Sequence, residues 1–148
     1  MKAALKPELT REAARLARSS NLRSLEKIMR TLLAPGGCPW DRRQTHSTLL
    51  KYLFEEAGEV RRAVRKKDWA NLKEELGDVL LQVAFHSALA QRDGRFSLSD
   101  VIKTINAKMV RRHPHVFGGG KLSTPAQVLR QWKMIKKAEK KHVRLRHG

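Results

Sequence analysis

The sequence predicts an all-α protein built as a bundle of amphipathic helices. Apolar residues recur at helical spacing over most of the 148 residues, and no stretch sustains the alternation typical of a strand. Start signals support this prediction, because Ser97 to Asp100 resembles a capping box and Thr124-Pro125 combines an N-cap residue with a first-turn proline. The apolar stripes break at Pro- and Gly-rich segments, which end helices.

Six helical segments follow from these signals in chain order. The last is expected to begin at Pro125 and to fray from Lys137, where apolar residues become sparse. A turn near Lys67 separates the two longest segments, which should therefore form an antiparallel hairpin. The first five segments are residues 7–18, 22–33, 47–66, 69–91 and 97–112.

Four carboxylates occupy mirrored positions on the two arms of this hairpin. Because the position numbers of each facing pair sum to 134, Glu59 should face Glu75 and Glu56 should face Asp78. The i, i+3 spacing puts both acids of each helix on one side. Anions brought together repel one another, so the pattern predicts a divalent cation among them.

The residue types in this cluster indicate Mg²⁺, with Mn²⁺ as a substitute. Hard carboxylate oxygens with no Cys or His among them suit these ions. A di-iron bundle would carry Glu-x-x-His motifs, whereas Glu56 and Glu75 are followed three residues later by Glu59 and Asp78. Glu55 adjoins the cluster but points away from the apolar arc of its helix, so we expect it to support the ligands rather than to bind metal.

Two pairs that supply positive charge, one of two cations and one of a tryptophan with a lysine, each lie on a single helix face further along the chain. Lys108 and Arg112 are spaced i, i+4, and so are Trp132 and Lys136. Cations beside a metal-carboxylate cluster would suit a triphosphate. Ordinary surface charge is an equally good interpretation of each pair.

Composition and charge limit the protein class. The formal net charge is +18, and the ends contribute strongly, with +3 over residues 1–20 and +8 over residues 121–148. Such ends suit polyanions, including nucleotides, nucleic acid, ribosomes and acidic membranes. No apolar run approaches the roughly 18 residues of a membrane span, and Cys38, the single cysteine, fits a reducing cytoplasm. We expect a basic extension (1–20), one helical domain (21–140) and a basic tail (141–148).

The acidic motifs and their flanking blocks resemble the MazG family of nucleoside triphosphate pyrophosphohydrolases. Of the tandem copies that many bacterial members carry, the chain is closest to the first. The resemblance covers about residues 22–140. The matching segments are Gly37-Cys-Pro-Trp-Asp41 with Gln44-Thr45, Glu55-Glu56-Ala-Gly-Glu59, Glu74-Glu-Leu-Gly-Asp-Val-Leu-Leu-Gln82, Arg111-Arg-His-Pro-His-Val-Phe117 and residues 128–140.

The resemblance implies a helical bundle that forms a homodimer or higher homo-oligomer and hydrolyses nucleoside triphosphates to the monophosphate and pyrophosphate with Mg²⁺. Water would attack the α-phosphorus, with Glu59 and Glu55 as candidates to take part in proton transfer. The implied metal ligands are Glu56, Glu59, Glu75 and Asp78, and the implied nucleotide contacts are Lys108, Arg112, Trp132 and Lys136.

One alternative of another class stays open. A catalytically weak or silent helical protein could keep the bundle and bind nucleic acid, a ribosome or a protein partner through its basic ends. Retention of all four ligand positions favours the enzyme. Pyrophosphate release with and without Mg²⁺ discriminates the two, while the preferred nucleotide is not predictable from the sequence.

Overall fold

The computed structural model describes residues 9–146 as helices joined by short turns, with no strand among them. These residues divide into two compact units, one ending at Leu98 and one beginning at Ser99. The prediction of an all-α protein is therefore confirmed. The helices are α1 (Arg11–Ala17), α2 (Leu22–Leu33), α3 (Pro39–Arg42), α4 (His46–Lys66), α5 (Trp69–Arg92), α6 (Leu98–Arg112), α7 (Pro114–Phe117) and α8 (Pro125–Arg146).

Side-chain caps explain where several helices of the first unit begin. The side chain of Asn21 accepts a hydrogen bond from the backbone N–H of Ser24 at 2.9 Å, which satisfies a free donor at the start of α2. Thr45 and Thr48 form a reciprocal capping box at the start of α4. These local signals account for the close agreement between predicted and observed helix starts.

A tight turn between α2 and α3 depends on two glycines. Gly36 has φ +81°, a conformation that favours glycine. At Gly37 an added Cβ would lie 2.3 Å from the backbone oxygen of Leu32, so no larger residue fits without moving the chain. The backbone N–H of Cys38 then donates to that same carbonyl at 2.9 Å, which closes the turn ahead of the cavity described below.

The α4–α5 hairpin is the centre of the first unit, and it reverses where the sequence predicts. Lys67 ends α4 in the left-handed conformation, with φ +56°. Asp68 caps α5 by accepting a hydrogen bond from the backbone N–H of Asn71 at 3.1 Å. The two helices pack along their length, and α2 packs against α5. This arrangement fixes the relative positions of the acids on both arms.

The buried core lies where α2, α4 and α5 meet. Met29, Leu49 and Leu89 are each 1% exposed, and together they join the three helices. Burying each of these side chains contributes about 1.5–3 kcal/mol. Every fully buried apolar side chain among the described residues belongs to this first unit, up to Leu98.

The second unit contains most of α6, together with α7 and α8. Glu139 on α8 accepts hydrogen bonds from Arg111 and from Arg112 of α6, each at 2.8 Å, which ties the two helices together. The Nδ1 atom of His115 lies 2.9 Å from the amide oxygen of Gln131, which connects α7 to α8. Polar contacts between helices thus help to hold this unit together.

The structure differs from the sequence prediction in three places. The expected fraying from Lys137 is wrong, because α8 continues to Arg146. The short helices α3 and α7 were not predicted, although each has a proline at its first turn, the usual signal for a start. The first helix begins at Arg11, because the Thr10 side chain caps it there, so the predicted helical range of 7–18 is wrong for residues 9 and 10. Residues 1–8 and 147–148 of the basic ends lie outside the described residues. No helix among the described residues is both long and apolar enough to cross a membrane.

Candidate metal centre

Three of the four mirrored carboxylates meet between the arms of the hairpin. Glu56 on α4 and Glu75 and Asp78 on α5 each direct one carboxylate oxygen into a group whose members lie within 4.8 Å of one another. The two glutamates are half-buried and Asp78 is exposed. Among residues 9–146 this is the one group of three or more metal-ligating side chains that meets such a distance limit. The fold therefore brings together acids that lie about twenty residues apart in sequence.

Burial and neighbouring negative charges both act on the Glu56 carboxyl. Burial raises the pKa of the Glu56 carboxyl, and the negative charges of Asp78, Glu75 and Glu55 raise it further. A hydrogen bond between Glu56 and Glu75 also favours the protonated form. Burial and the surrounding negative charges thus disfavour the charged form of Glu56, and a divalent ion bound in the group would offset them.

Glu59 takes a different partner from the one predicted. Its carboxylate forms an ion pair with Arg62 one turn further along α4, and the Arg62 Nε donates to Glu59 Oε2 at 2.8 Å. Glu59 is accordingly not part of the three-carboxylate group. The sequence contained the signal for this pairing, because an acid and an arginine at i, i+3 share a helix face. Glu55 is exposed and influences the group only through its charge.

The donor set fits a hard divalent cation. All three side chains offer carboxylate oxygens, which Mg²⁺ and Mn²⁺ prefer over nitrogen or sulfur. Mg²⁺ usually takes six oxygen ligands and keeps several waters or substrate oxygens among them. Three carboxylates on one side therefore leave coordination positions for a phosphate-bearing ligand.

The predicted nucleotide contacts lie in the second unit, where two of them are already engaged. Arg112 pairs with Glu139 at 2.8 Å, and this hydrogen bond raises the pKa of the arginine. Lys136 lies over the Trp132 ring, with its Nζ 5.9 Å from the ring centroid. The Trp132 Nε1 is buried without a hydrogen-bond partner among the described residues. Lys108 is half-buried on the face of α6 that it shares with Arg112.

A histidine pair in the first unit escaped the sequence analysis. The Nδ1 atoms of His46 and His86 lie 2.7 Å apart, and the two rings stack at 5.0 Å between centroids. Burial lowers the pKa of His86, and the neighbouring His46 lowers it further. The two residues lie forty positions apart, so only the packing of α4 on α5 reveals the contact.

Comparison with known families agrees with this geometry. Residues 44–117 match the family described as "MazG nucleotide pyrophosphohydrolase domain". This range is half of the chain and contains all four mirrored acids. The chain belongs to the MazG nucleotide pyrophosphohydrolase family. The resemblance seen in the sequence is thereby confirmed.

Individual relatives support the same assignment. This chain is 50% identical over 116 residues to "Nucleoside triphosphate pyrophosphohydrolase/pyrophosphatase MazG" from Thermotoga maritima. It is 43% identical over 114 residues to "Nucleoside triphosphate pyrophosphohydrolase" from Escherichia coli strain K12. These matches cover 78% and 76% of this chain but only 44% and 43% of the two relatives, so the chain spans less than half of their lengths.

A solved structure extends the agreement to the fold. The crystal structure of a mazG-related protein from Thermotoga maritima superposes with a TM-score of 0.66 at 36% sequence identity. The match covers 78% of this chain and 99% of the other. The helical architecture is therefore that of a MazG-related protein along almost the whole length of that relative.

Proposed function

We propose that this MazG-family chain is a Mg²⁺-dependent nucleoside triphosphate pyrophosphohydrolase. The observation that carries the proposal is the convergence of carboxylate oxygens from Glu56, Glu75 and Asp78 within 4.8 Å. Relatives that share the family are named for this reaction, including those from Thermotoga maritima and Escherichia coli. Mn²⁺ is the natural substitute, because it accepts the same oxygen donors.

The proposed reaction is attack of water on the α-phosphorus. A new bond forms between the water oxygen and that phosphorus, the bridge to the β-phosphate breaks, and pyrophosphate leaves. Glu56, Glu75 and Asp78 would hold the divalent cation, which supplies neutralisation of phosphate charge and a lowered pKa for a coordinated water. The fixed positions of these ligands on two packed helices keep the geometry constant through the reaction.

Glu59 and Glu55 are the proposed candidates for accepting the proton of the attacking water. Glu55 precedes Glu56 and its charge acts on that residue, whereas Glu59 lies about one turn further along α4. Neither belongs to the three-carboxylate group, so their oxygens are not committed to the cation. Glu59 must first leave Arg62, after which it could also complete a set of four metal ligands. That exchange is accessible because the Glu59 and Arg62 side chains are 40% and 54% exposed, and exposed ion pairs contribute at most about 1 kcal/mol.

The nucleotide contacts are proposed from the family resemblance. Lys108, Arg112 and Lys136 carry positive charge, and their N–H groups can donate hydrogen bonds to phosphate oxygens. Trp132 offers an aromatic ring, although Lys136 covers it in the present arrangement. Arg112 would exchange Glu139 for a phosphate, since a guanidinium binds both groups through the same donors.

Product analysis tests the proposed reaction. The protein is incubated with a mixture of ribo- and deoxynucleoside triphosphates, with Mg²⁺ or with EDTA, in ¹⁸O-labelled water. We expect pyrophosphate only with Mg²⁺, and the label in the nucleoside monophosphate. Production of diphosphate and orthophosphate, or label confined to pyrophosphate, would reject attack at the α-phosphorus.

Two variants distinguish a carboxylate requirement from a general charge effect. Glu75→Gln removes one member of the group and should abolish Mg²⁺-dependent turnover. Glu74→Gln removes the same charge from an exposed neighbouring position on α5 and should retain it. Equal activity in both variants would show that the group does not hold the catalytic cation.

Self-association is a further part of the proposal. Apolar side chains on the hairpin remain exposed, including Phe54 at 73%, Leu76 at 52% and Val64 at 51%. Several exposed apolar side chains of this size on one hairpin are typical of an interaction surface. We assign this face to contact with a second copy of the chain, in a homodimer or larger homo-oligomer, and a sedimentation coefficient of a monomer at micromolar concentration would contradict the assignment.

A second candidate function rests on the charge of α8. Lys133, Lys137, Lys140 and Lys141 are exposed on this helix, and Glu139, its one acid, is occupied by two arginines. Unpaired lysines on a helix attract polyanions and release counterions on binding. Nucleic-acid binding predicts a salt-dependent gel shift that is lost when these four lysines become Gln; an unchanged shift would reject it.

A further inference from the structure

A cationic cavity lies in the first unit, away from the acidic group. Its volume is about 880 Å³, within the range of small-molecule sites. Ala88 lines it, and Asp78 precedes Ala88 by ten residues on the same helix, which corresponds to about 15 Å along the axis. The cavity and the metal-ligating group therefore lie at separate places along α5.

Four arginines from three elements surround this cavity. Arg30 comes from the last turn of α2 and Arg92 from the last residue of α5, while Arg42 and Arg43 come from the end of α3. None of the described residues that line the cavity is acidic. Within residues 9–146, Arg92 pairs with Asp93 at 3.5 Å, whereas Arg30, Arg42 and Arg43 have no carboxylate partner.

Helix ends alone do not explain this arrangement. A single arginine in the last turn of a helix is stabilised by the backbone dipole and needs no ligand. Here three helix ends meet at one concave surface, which gathers the positive charges of four arginines around it. The closed turn at Gly37 holds α3 against the end of α2 and fixes this convergence.

The lining also indicates which kind of anion fits. Guanidinium groups bind phosphate through paired hydrogen bonds, and several of them favour a ligand with more than one phosphate. The walls between the arginines are apolar and include Leu33, Pro39 and Ala88. We propose that this cavity is a second anion site, distinct from the metal-ligating group, for a small molecule that carries at least two phosphate groups.

Calorimetry with inorganic tripolyphosphate, in EDTA and physiological salt, tests the proposal. The double variant Arg30→Gln/Arg42→Gln removes two cavity cations. Its matched control, Arg61→Gln/Arg65→Gln, removes two exposed cations of α4 that do not line the cavity. We expect saturable binding that weakens about tenfold or more in the cavity variant and less than about twofold in the control, as loss of paired contacts predicts.

A measurement on the unaltered protein guards against a variant that does not fold. Arginine modification by phenylglyoxal, mapped by mass spectrometry, should be blocked by tripolyphosphate at Arg30, Arg42 and Arg43 and unchanged at Arg61. Uniform protection, equal weakening in both double variants, or absence of saturable binding would overturn the site. Because EDTA removes divalent ions, these results are independent of the proposed hydrolysis, which is measured separately with Mg²⁺.

Discussion

Neutralising Asp78 should change stability in opposite directions without and with Mg²⁺. Asp78→Asn keeps the size of the side chain but removes one of three negative charges whose oxygens lie within 4.8 Å. In the metal-free protein this relieves repulsion with Glu56 and Glu75. In the presence of metal it removes a ligand.

The separation of the carboxylate oxygens sets the size of the repulsion that Asp78→Asn removes. At 4.8 Å in a water-like dielectric each pair of charges repels by about 0.9 kcal/mol, so the two pairs that involve Asp78 give about 1.7 kcal/mol. The water-like value applies because Asp78 is exposed, and physiological salt reduces the sum to about 1 kcal/mol. The variant should therefore melt a few degrees higher than the wild type in EDTA, roughly 4 °C for a chain of this size.

Mg²⁺ should make the wild type more stable than Asp78→Asn. At a concentration one hundred times its dissociation constant, a ligand specific for the folded state stabilises it by about 2.7 kcal/mol. The wild type gains this contribution and the variant does not, so the wild type becomes the more stable protein by about 1.7 kcal/mol. The predicted crossing distinguishes loss of a metal ligand from general damage to the fold.

Thermal melts followed by circular dichroism at pH 8, with EDTA or with Mg²⁺, measure both effects. Glu74→Gln is the control, because it removes the same charge from the same helix outside the group. The reasoning fails if Asp78→Asn melts below the wild type in EDTA, or if Mg²⁺ raises the melting temperatures of variant and wild type equally.

Three further predictions concern the neighbours of this group, the second unit and the exposed face. Arg62→Gln should tighten Mg²⁺ binding by about threefold, because Glu59 is released from an exposed ion pair. Arg61→Gln is the control in calorimetry. If both variants gain the same Mg²⁺ affinity, Glu59 is not a metal ligand. Hydrogen bonds from two arginines lower the pKa of Glu139 from 4.5 to about 2, so its stabilising contribution is complete above about pH 4.5 and is lost toward pH 2. Acid unfolding of Glu139→Gln should therefore lose less stability than wild type over that window, and identical pH profiles would contradict this. For the proposed homodimer, Phe54→Glu, at a side chain 73% exposed, should shift sedimentation from dimer to monomer while the helical signal stays intact, and sedimentation equal to that of the wild type would contradict a contact through Phe54.

The sequence by itself determined the helices, the hairpin and the family. Helix periodicity and caps are local properties, so the reversal at Lys67 and the start at Pro125 follow from neighbours within about four residues. Convergence of Glu56, Glu75 and Asp78 was also predictable, because an antiparallel hairpin has one register once its turn is placed. The short helices after Pro39 and Pro114 carried a local signal that was not used.

Only the tertiary structure decided which partner each charged group takes. The hairpin register predicted that Glu59 faces Glu75, and the structure instead pairs it with Arg62, because opposite charges at i, i+3 attract while a facing carboxylate repels. The His46–His86 contact and the arginine-lined cavity join residues from separate elements, and no local pattern specifies them. Local periodicity fixes which face of a helix is apolar, whereas the partner of each polar side chain depends on packing between helices that are distant in sequence.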